Sequence, residues 1–321
     1  MRWTGILVIV HGMSVMAQSE VTYLFSHGLS DSHKQVNNYT QTVNQKKPYI
    51  IQNPYISFDY PDVGKGLFKL NRLQTSLAQD NEIQRLAQIF FSSCNKESRV
   101  VLVGVSRGAS TIINFMGLCN AQNVCALVLE SPFDCIESIM QRMINETSWG
   151  CIPGIRKNYG SFMSFVFCKY NPYGIRPIDM VAKIRKDLPI LIICSLSDKL
   201  VPVWASINLY QALRESGHEH THLLVLPEGI HGKLIKHEHY SAWYQNVTHA
   251  FYKKYQLPHN SQYAERGAHL LDNLCQPPVN DLVTFYPDYL KSPSNSKTKL
   301  AKLNTIISEK FAVNKAKKVL K

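Results

Sequence analysis

Gly104-Val105-Ser106-Arg107-Gly108 is the stretch of this 321-residue chain whose spacing most directly implies chemistry. It follows the β-branched run Arg99–Val105 and opens a helical stretch from Arg107 to about Leu118. A serine on a sharp strand-to-helix turn stands clear of the sheet edge. Gly104 and Gly108 flank it because side chains there would collide with neighbouring segments. A serine hydroxyl is a weak nucleophile at neutral pH and needs a base. Among twelve histidines, His231 in LPEGIHGKL follows the strand-like run His222–Leu226. Asp198 in SLSDKLVP follows the run Pro189–Ser195. Both would then lie at the same sheet edge as Ser106, in the chain order serine, acid, histidine. His231 Nε2 would take the Ser106 proton, and Asp198 would hold the opposite ring nitrogen. Asp134 and Glu228 are the fallback acids.

Attack on a carbonyl also needs donors for the tetrahedral oxyanion. The backbone N–H of Arg107, at the start of a helix, is one. The second is expected from the turn His27-Gly28-Leu29 after Val21–Ser26, through the Leu29 N–H. His11-Gly12 after Ile6–Val10 competes for that role. The later pair is preferred because it stands about thirty residues before the FDYPDVG turn, with Ser30, Asp31 and Ser32 ready to cap a helix.

Positioning these groups requires strands alternating with helices. Tyr55–Asp59, Val124–Leu129 and the runs above read as strands. Leu73–Phe91, Arg107 to about Leu118, Val203–Ser216 and His239–Tyr255 read as helices from their three- and four-residue apolar steps. Alternation of this kind predicts an α/β chain with a mostly parallel central sheet and helices on both faces. The aromatic segment 138–173 fits neither pattern. It is expected to project above the sheet as a short cap and to favour an apolar acyl group.

FSHGLSDS, SFDYPDVGKG, VLVGVSRGAS, LVLESPF, PILIICSLSDKLVP and GIHGKL resemble, in order, the strand ends of the α/β-hydrolase superfamily. The likeness spans about residues 21–257 and is strongest to the serine-aminopeptidase and prolyl-oligopeptidase-related branches, where many members are esterases or thioesterases. It implies a Ser106, Asp198, His231 triad. Arg107 departs from the small or uncharged residue common at its position. Its guanidinium would either meet an anionic substrate group or pair with a nearby carboxylate. The short N-terminal side leaves no room for the family's first hairpin if residues 1–17 are removed.

Those seventeen residues combine Arg2, an apolar stretch and small residues before Ala17, which reads as a signal peptide and an exported, secreted or periplasmic protein. The alternative is a first strand of a cytoplasmic domain. The body is expected over 18–260 and a C-terminal extension over 261–321. Eight cysteines are too few for a disulfide scaffold. The net charge of +12 would suit an anionic partner, but residues 291–321 alone hold +8 of it. The body is close to ordinary, so nucleic acid is not expected, and contact with an anionic surface is confined to the lysine-rich tail. No dinucleotide or phosphate-loop motif occurs, and neither a cofactor nor a metal is expected. His218, His220 and His222 alternate, but a solvated loop is the expected reading. The sequons at Asn38, Asn145 and Asn246 matter only in a eukaryotic secretory pathway. The reading is a serine hydrolase acting on a small acyl substrate, an ester, thioester or small amide. A catalytically idle binding protein on the same scaffold is the alternative.

Overall fold

The computed structural model describes residues 20–41, 47–64, 71–119, 121–140 and 158–277. The signal-peptide segment, His11-Gly12, the middle of the cap segment and the lysine-rich tail lie outside the described residues. Six strands form one sheet in the order β2-β1-β3-β4-β5-β6. They are β1 Val21–Ser26, β2 Tyr55–Ser57, β3 Arg99–Val105, β4 Val124–Glu130, β5 Ile190–Ser195 and β6 Thr221–Leu226. Every pairing among the described residues is parallel, as the alternation of strands and helices predicts. The helices are α1 Asp80–Ser93, α2 Arg107–Leu118, α3 Tyr159–Val166, α4 Pro177–Met180, α5 Val203–Glu215, α6 Ser241–Lys254 and α7 Ser261–Leu274.

Period-two alternation along the strands builds a core on each face. Leu24, Val100, Leu102, Leu127, Ile192 and Leu223 face one side, against α1, α2 and α5. Tyr23, Phe25, Val101, Val103, Val128, Ile193 and Leu224 face the other, against α6 and α7. Burial on both faces explains why the central strands are nearly continuous aliphatic runs. The chain passes from β1 to β2 on one side, then crosses to β3 on the other. The sheet therefore has its switch point between β1 and β3, where the carboxyl ends of parallel strands leave a crevice.

Two elements differ from expectation. The helix predicted from Leu73 begins only at Asp80. Leu77 and Ala78 take φ of 55° and 72°, a left-handed conformation that a right-handed helix cannot contain. Arg72–Gln74 form a separate 3-10 turn. Beyond residue 260, α7 packs tightly on α6: a Cβ on Gly267 would stand 2.0 Å from Asn246 O. The Asn246 sequon therefore lies inside a packed helix, with Val247 and Thr248 buried.

Candidate active site

Ser106 lies between β3 and α2 with φ 53° and ψ −117°. That conformation is costly for a residue with a side chain, on the order of 1–3 kcal/mol, and survives only where its surroundings fix it. The fixing groups are visible. The Ser106 N–H donates to Glu130 O at 2.7 Å, at the end of β4. A Cβ on Gly108 would stand 2.1 Å from Ser26 O, and one on Gly104 2.7 Å from Ala109 N. The first turn of α2 thus presses on the end of β1 and against its own strand, as glycine alone permits.

The turn after β6 carries His231 and the turn after β5 carries Asp198. His231 Nε2 lies 2.7 Å from Ser106 Oγ, and Nδ1 lies 2.7 Å from Asp198 Oδ2. Asp198 is buried, and its Oδ1 accepts the N–H groups of Leu200 at 2.9 Å and Val201 at 3.0 Å. A carboxylate is acceptor-only, so Nδ1 carries the proton and Nε2 is left to accept from the serine. Asp134 is occupied elsewhere: Cys135 N–H and Asn208 Nδ2 donate to it at 2.9 and 2.6 Å. With Nδ1 committed to Asp198, that ring atom needs neither Asp134 nor Glu228.

The turn after β1 meets Ser106 across the switch point. A Cβ on Gly28 would lie 3.7 Å from Ser106 Cβ. Among the described residues neither the Leu29 nor the Arg107 backbone N–H has a protein acceptor. His27 is fully buried, and its ring braces the turn. Tyr60 N–H donates to Nε2 at 3.3 Å, so Nδ1–H donates to Gly28 O at 2.8 Å. Burial, with the nearby Arg107 charge, lowers its pKa to about 4 and keeps it neutral. Gly28 N–H donates to Gln35 Oε1 at 2.9 Å.

The guanidinium of Arg107 does not face a substrate. It is 2% exposed and pairs with Asp62, with Glu82 at 3.3 Å, and with the face of Tyr60 at 4.6 Å. Of the two readings its sequence position allowed, the carboxylate pairing is what forms. Asp62, Glu82, Gln35 and Glu130 are site residues that the sequence did not reveal. Glu130 is buried at the end of β4, and burial pushes its carboxyl pKa up. It accepts Tyr39 O–H at 2.8 Å and the Leu234 N–H at 3.3 Å, bracing the loop that carries His231. Its only signal was an acidic residue ending an otherwise aliphatic strand, LVLESPF.

Above the edge, Met140, Met163 and Tyr170 bury against Leu77, Phe133 and Val201, with Leu29 and Phe162 half-buried beside them. The cap segment thus packs against Leu29, after β1, and against Val201, whose N–H holds Asp198. Phe165 and Tyr173 point outward, at 82% and 95% exposure. The alternating histidines do not form a solvated group. His218 is buried between the carbonyls of Leu213 and Ile184, and His222 bonds Tyr255 O–H at 2.8 Å within the sheet. Only His220 is exposed, so the three do not converge on a common ligand position.

The sequence model of the prolyl oligopeptidase family matches residues 159–257, about a third of the chain. Among solved structures, the putative non-heme bromoperoxidase BpoC from Mycobacterium tuberculosis H37Rv is similar at a TM-score of 0.50 and 14% identity, over 74% of this chain and 93% of its own. Pyrococcus horikoshii acylaminoacyl peptidase is similar at 0.50 and 14% identity, over 74% of this chain and 37% of its own. The Pyrococcus furiosus esterase Pf2001 stands at 0.49 and 17% identity, over 74% and 82%. Among curated protein sequences none matches this chain. Identities this low speak to the fold and leave the chemistry to the site.

Proposed function

Since the chain has the fold of the α/β-hydrolase superfamily, we propose that it is a serine hydrolase cleaving an ester, thioester or small amide through an acyl-enzyme. The observation that carries this reading is the continuous relay Ser106–His231–Asp198, with both contacts at 2.7 Å. The Leu29 and Arg107 backbone N–H groups, without a protein acceptor among the described residues, support it.

In this reading Ser106 Oγ attacks the substrate carbonyl carbon as its proton passes to His231 Nε2. The carbonyl π pair moves to oxygen, and the Leu29 and Arg107 N–H groups take the charge. Asp198 stabilises the imidazolium through Nδ1 without itself being protonated. The intermediate collapses, and His231 returns the proton to the departing alkoxide, thiolate or amine. Water then adds to the acyl carbonyl carbon while giving its proton to Nε2, which returns it to Ser106 Oγ as the carbon–Oγ bond breaks. The second tetrahedral species releases the carboxylic acid and restores Ser106. The apolar cluster that Leu29, Phe162 and Met163 share with Val201, whose N–H holds Asp198, suits an apolar acyl group.

A fluorophosphonate probe tests the reaction class. The folded protein is expected to label once, at Ser106, and Ser106→Ala to remain unlabelled. Equal labelling of both, or none of the folded wild type, would overturn the reading in favour of an idle scaffold. p-Nitrophenyl esters of increasing chain length then test the acyl pocket. Turnover that peaks at acetate would argue against it.

A further inference from the structure

Arg107 carries a full charge into the interior, and no step above uses its side chain. Burying an arginine beside two carboxylates is at best neutral for stability compared with apolar packing, so stability alone does not account for the network. Its geometry is informative. The guanidinium is a rigid planar fork. Nη1 bonds Asp62 and Glu82, and Nη2 donates to Gly28 O at 3.3 Å. The carboxylates are fixed in turn. Thr75 O–H donates to Asp62 at 2.9 Å, and Ser76 donates to Glu82 through its N–H at 3.1 Å and through its hydroxyl.

Gly28 O belongs to the same peptide unit as the Leu29 N–H. In a planar trans peptide the C=O and N–H point in opposite directions, so fixing one aims the other. Gly28 O is held from the buried side by His27 Nδ1 and Arg107 Nη2. The N–H therefore points away from the buried network, and Gly28 itself abuts Ser106. We propose that Arg107, anchored by Asp62 and Glu82, is the positioning residue of the oxyanion hole, clamping the peptide that presents the Leu29 N–H. The same residue supplies the other donor through its own backbone. One side chain thus ties the two halves of the hole, on either side of the switch point, at a fixed separation. This rests on the serine-hydrolase reading.

The wild type is first labelled with the fluorophosphonate; failure there would sink the reaction class before any clamp variant is made. Two variants then test the clamp. Arg107→Met combined with Asp62→Asn and Glu82→Gln removes the fork without leaving a buried unpaired charge. Arg107→Lys keeps the charge but loses the second arm of the fork. Each is checked for folding by its thermal transition, then assayed on p-nitrophenyl butyrate and with butylboronic acid, a tetrahedral adduct former. His27 still holds Gly28 O, so the loss is partial. kcat is expected to fall about 10- to 100-fold, with KM within about twofold and the boronate inhibition constant raised in step with the fall in kcat. Should the triple variant fail to fold, Arg107→Lys decides alone. A folded variant that keeps kcat and boronate affinity within about twofold would overturn the clamp. A loss carried by KM with boronate affinity unchanged would overturn it as well.

Discussion

Asp198 holds His231 from a position that is itself held. One carboxylate oxygen takes the imidazole Nδ1 at 2.7 Å, and the other takes the N–H groups of Leu200 and Val201. The bond therefore fixes both the tautomer and the ring plane. Asp198→Asn is expected to leave the fold intact. It would present an amide that stabilises the wrong tautomer, lowering kcat about 10⁴-fold. Ser106→Ala and His231→Ala should each cost as much or more, and the double variant no more than either alone. Steady-state kinetics on a p-nitrophenyl ester checks this. Additive losses would mean that the residues do not act as a unit.

Gly108 is expected to be the less tolerant of the two elbow glycines. A methyl there meets the backbone oxygen of Ser26 at 2.1 Å, whereas at Gly104 the contacts are at 2.7 Å. Gly108→Ala must part α2 from β1, at a cost on the order of 3 kcal/mol, and Gly104→Ala somewhat less. Thermal melts of the two variants give the order. A Gly108→Ala protein melting with the wild type would show that α2 parts from β1 without cost.

Acid should destabilise this protein well above the carboxylate range. His27, His222 and His249 are fully buried, and burial, joined at His27 by Arg107 and at His222 by Lys254, lowers their pKa values from 6.5 to about 4, 3 and 4. The unfolded chain accepts these protons near pH 6.5, and the folded chain refuses them. Their contribution is therefore complete above pH 6.5 and is lost as the pH falls toward 4. The slope would reach up to about 4 kcal/mol per pH unit if all three differ fully. Glu82 and Glu130, whose pKa values burial raises, work in the opposite sense and keep the net slope lower. Urea titrations from pH 7.5 to 4.5 measure it. The histidine part is isolated by His249→Gln, which should flatten the slope between pH 6.5 and about 5; an unchanged slope in that folded variant would contradict the assignment.

Deleting residues 291–321 is expected to leave ester turnover unchanged. Every group placed at the site lies between His27 and His231, and α7, the last helix of the described residues, ends at Leu274. The deletion removes eight of the twelve net positive charges, so any attraction to anionic surfaces should go with it. Comparing kcat and sedimentation with anionic vesicles for the two proteins separates these roles. A large fall in kcat would place the tail at the active site.

Much of the site could be read from local sequence, because its parts are local devices. An elbow needs small residues beside its serine, and an aliphatic run signals a strand buried on both faces. Acid and histidine follow later runs of the same kind, so a parallel sheet carries Ser106, Asp198 and His231 to one edge. Contacts made across the fold left no such mark. The fate of the Arg107 guanidinium was decided by Asp62 and Glu82, 45 and 25 residues away in the chain. The start of α1 was decided by two residues forced into left-handed geometry, against their periodicity. His218 and His222, polar by composition, were drawn inside because carbonyls and a tyrosine hydroxyl wait for them there. Sequence alone determined which residues stand at the strand ends, since residue type and spacing along a strand end are one-dimensional properties. The tertiary structure alone decided how rigidly that chemistry is held, because a buried charge finds its partner only when distant segments close around it.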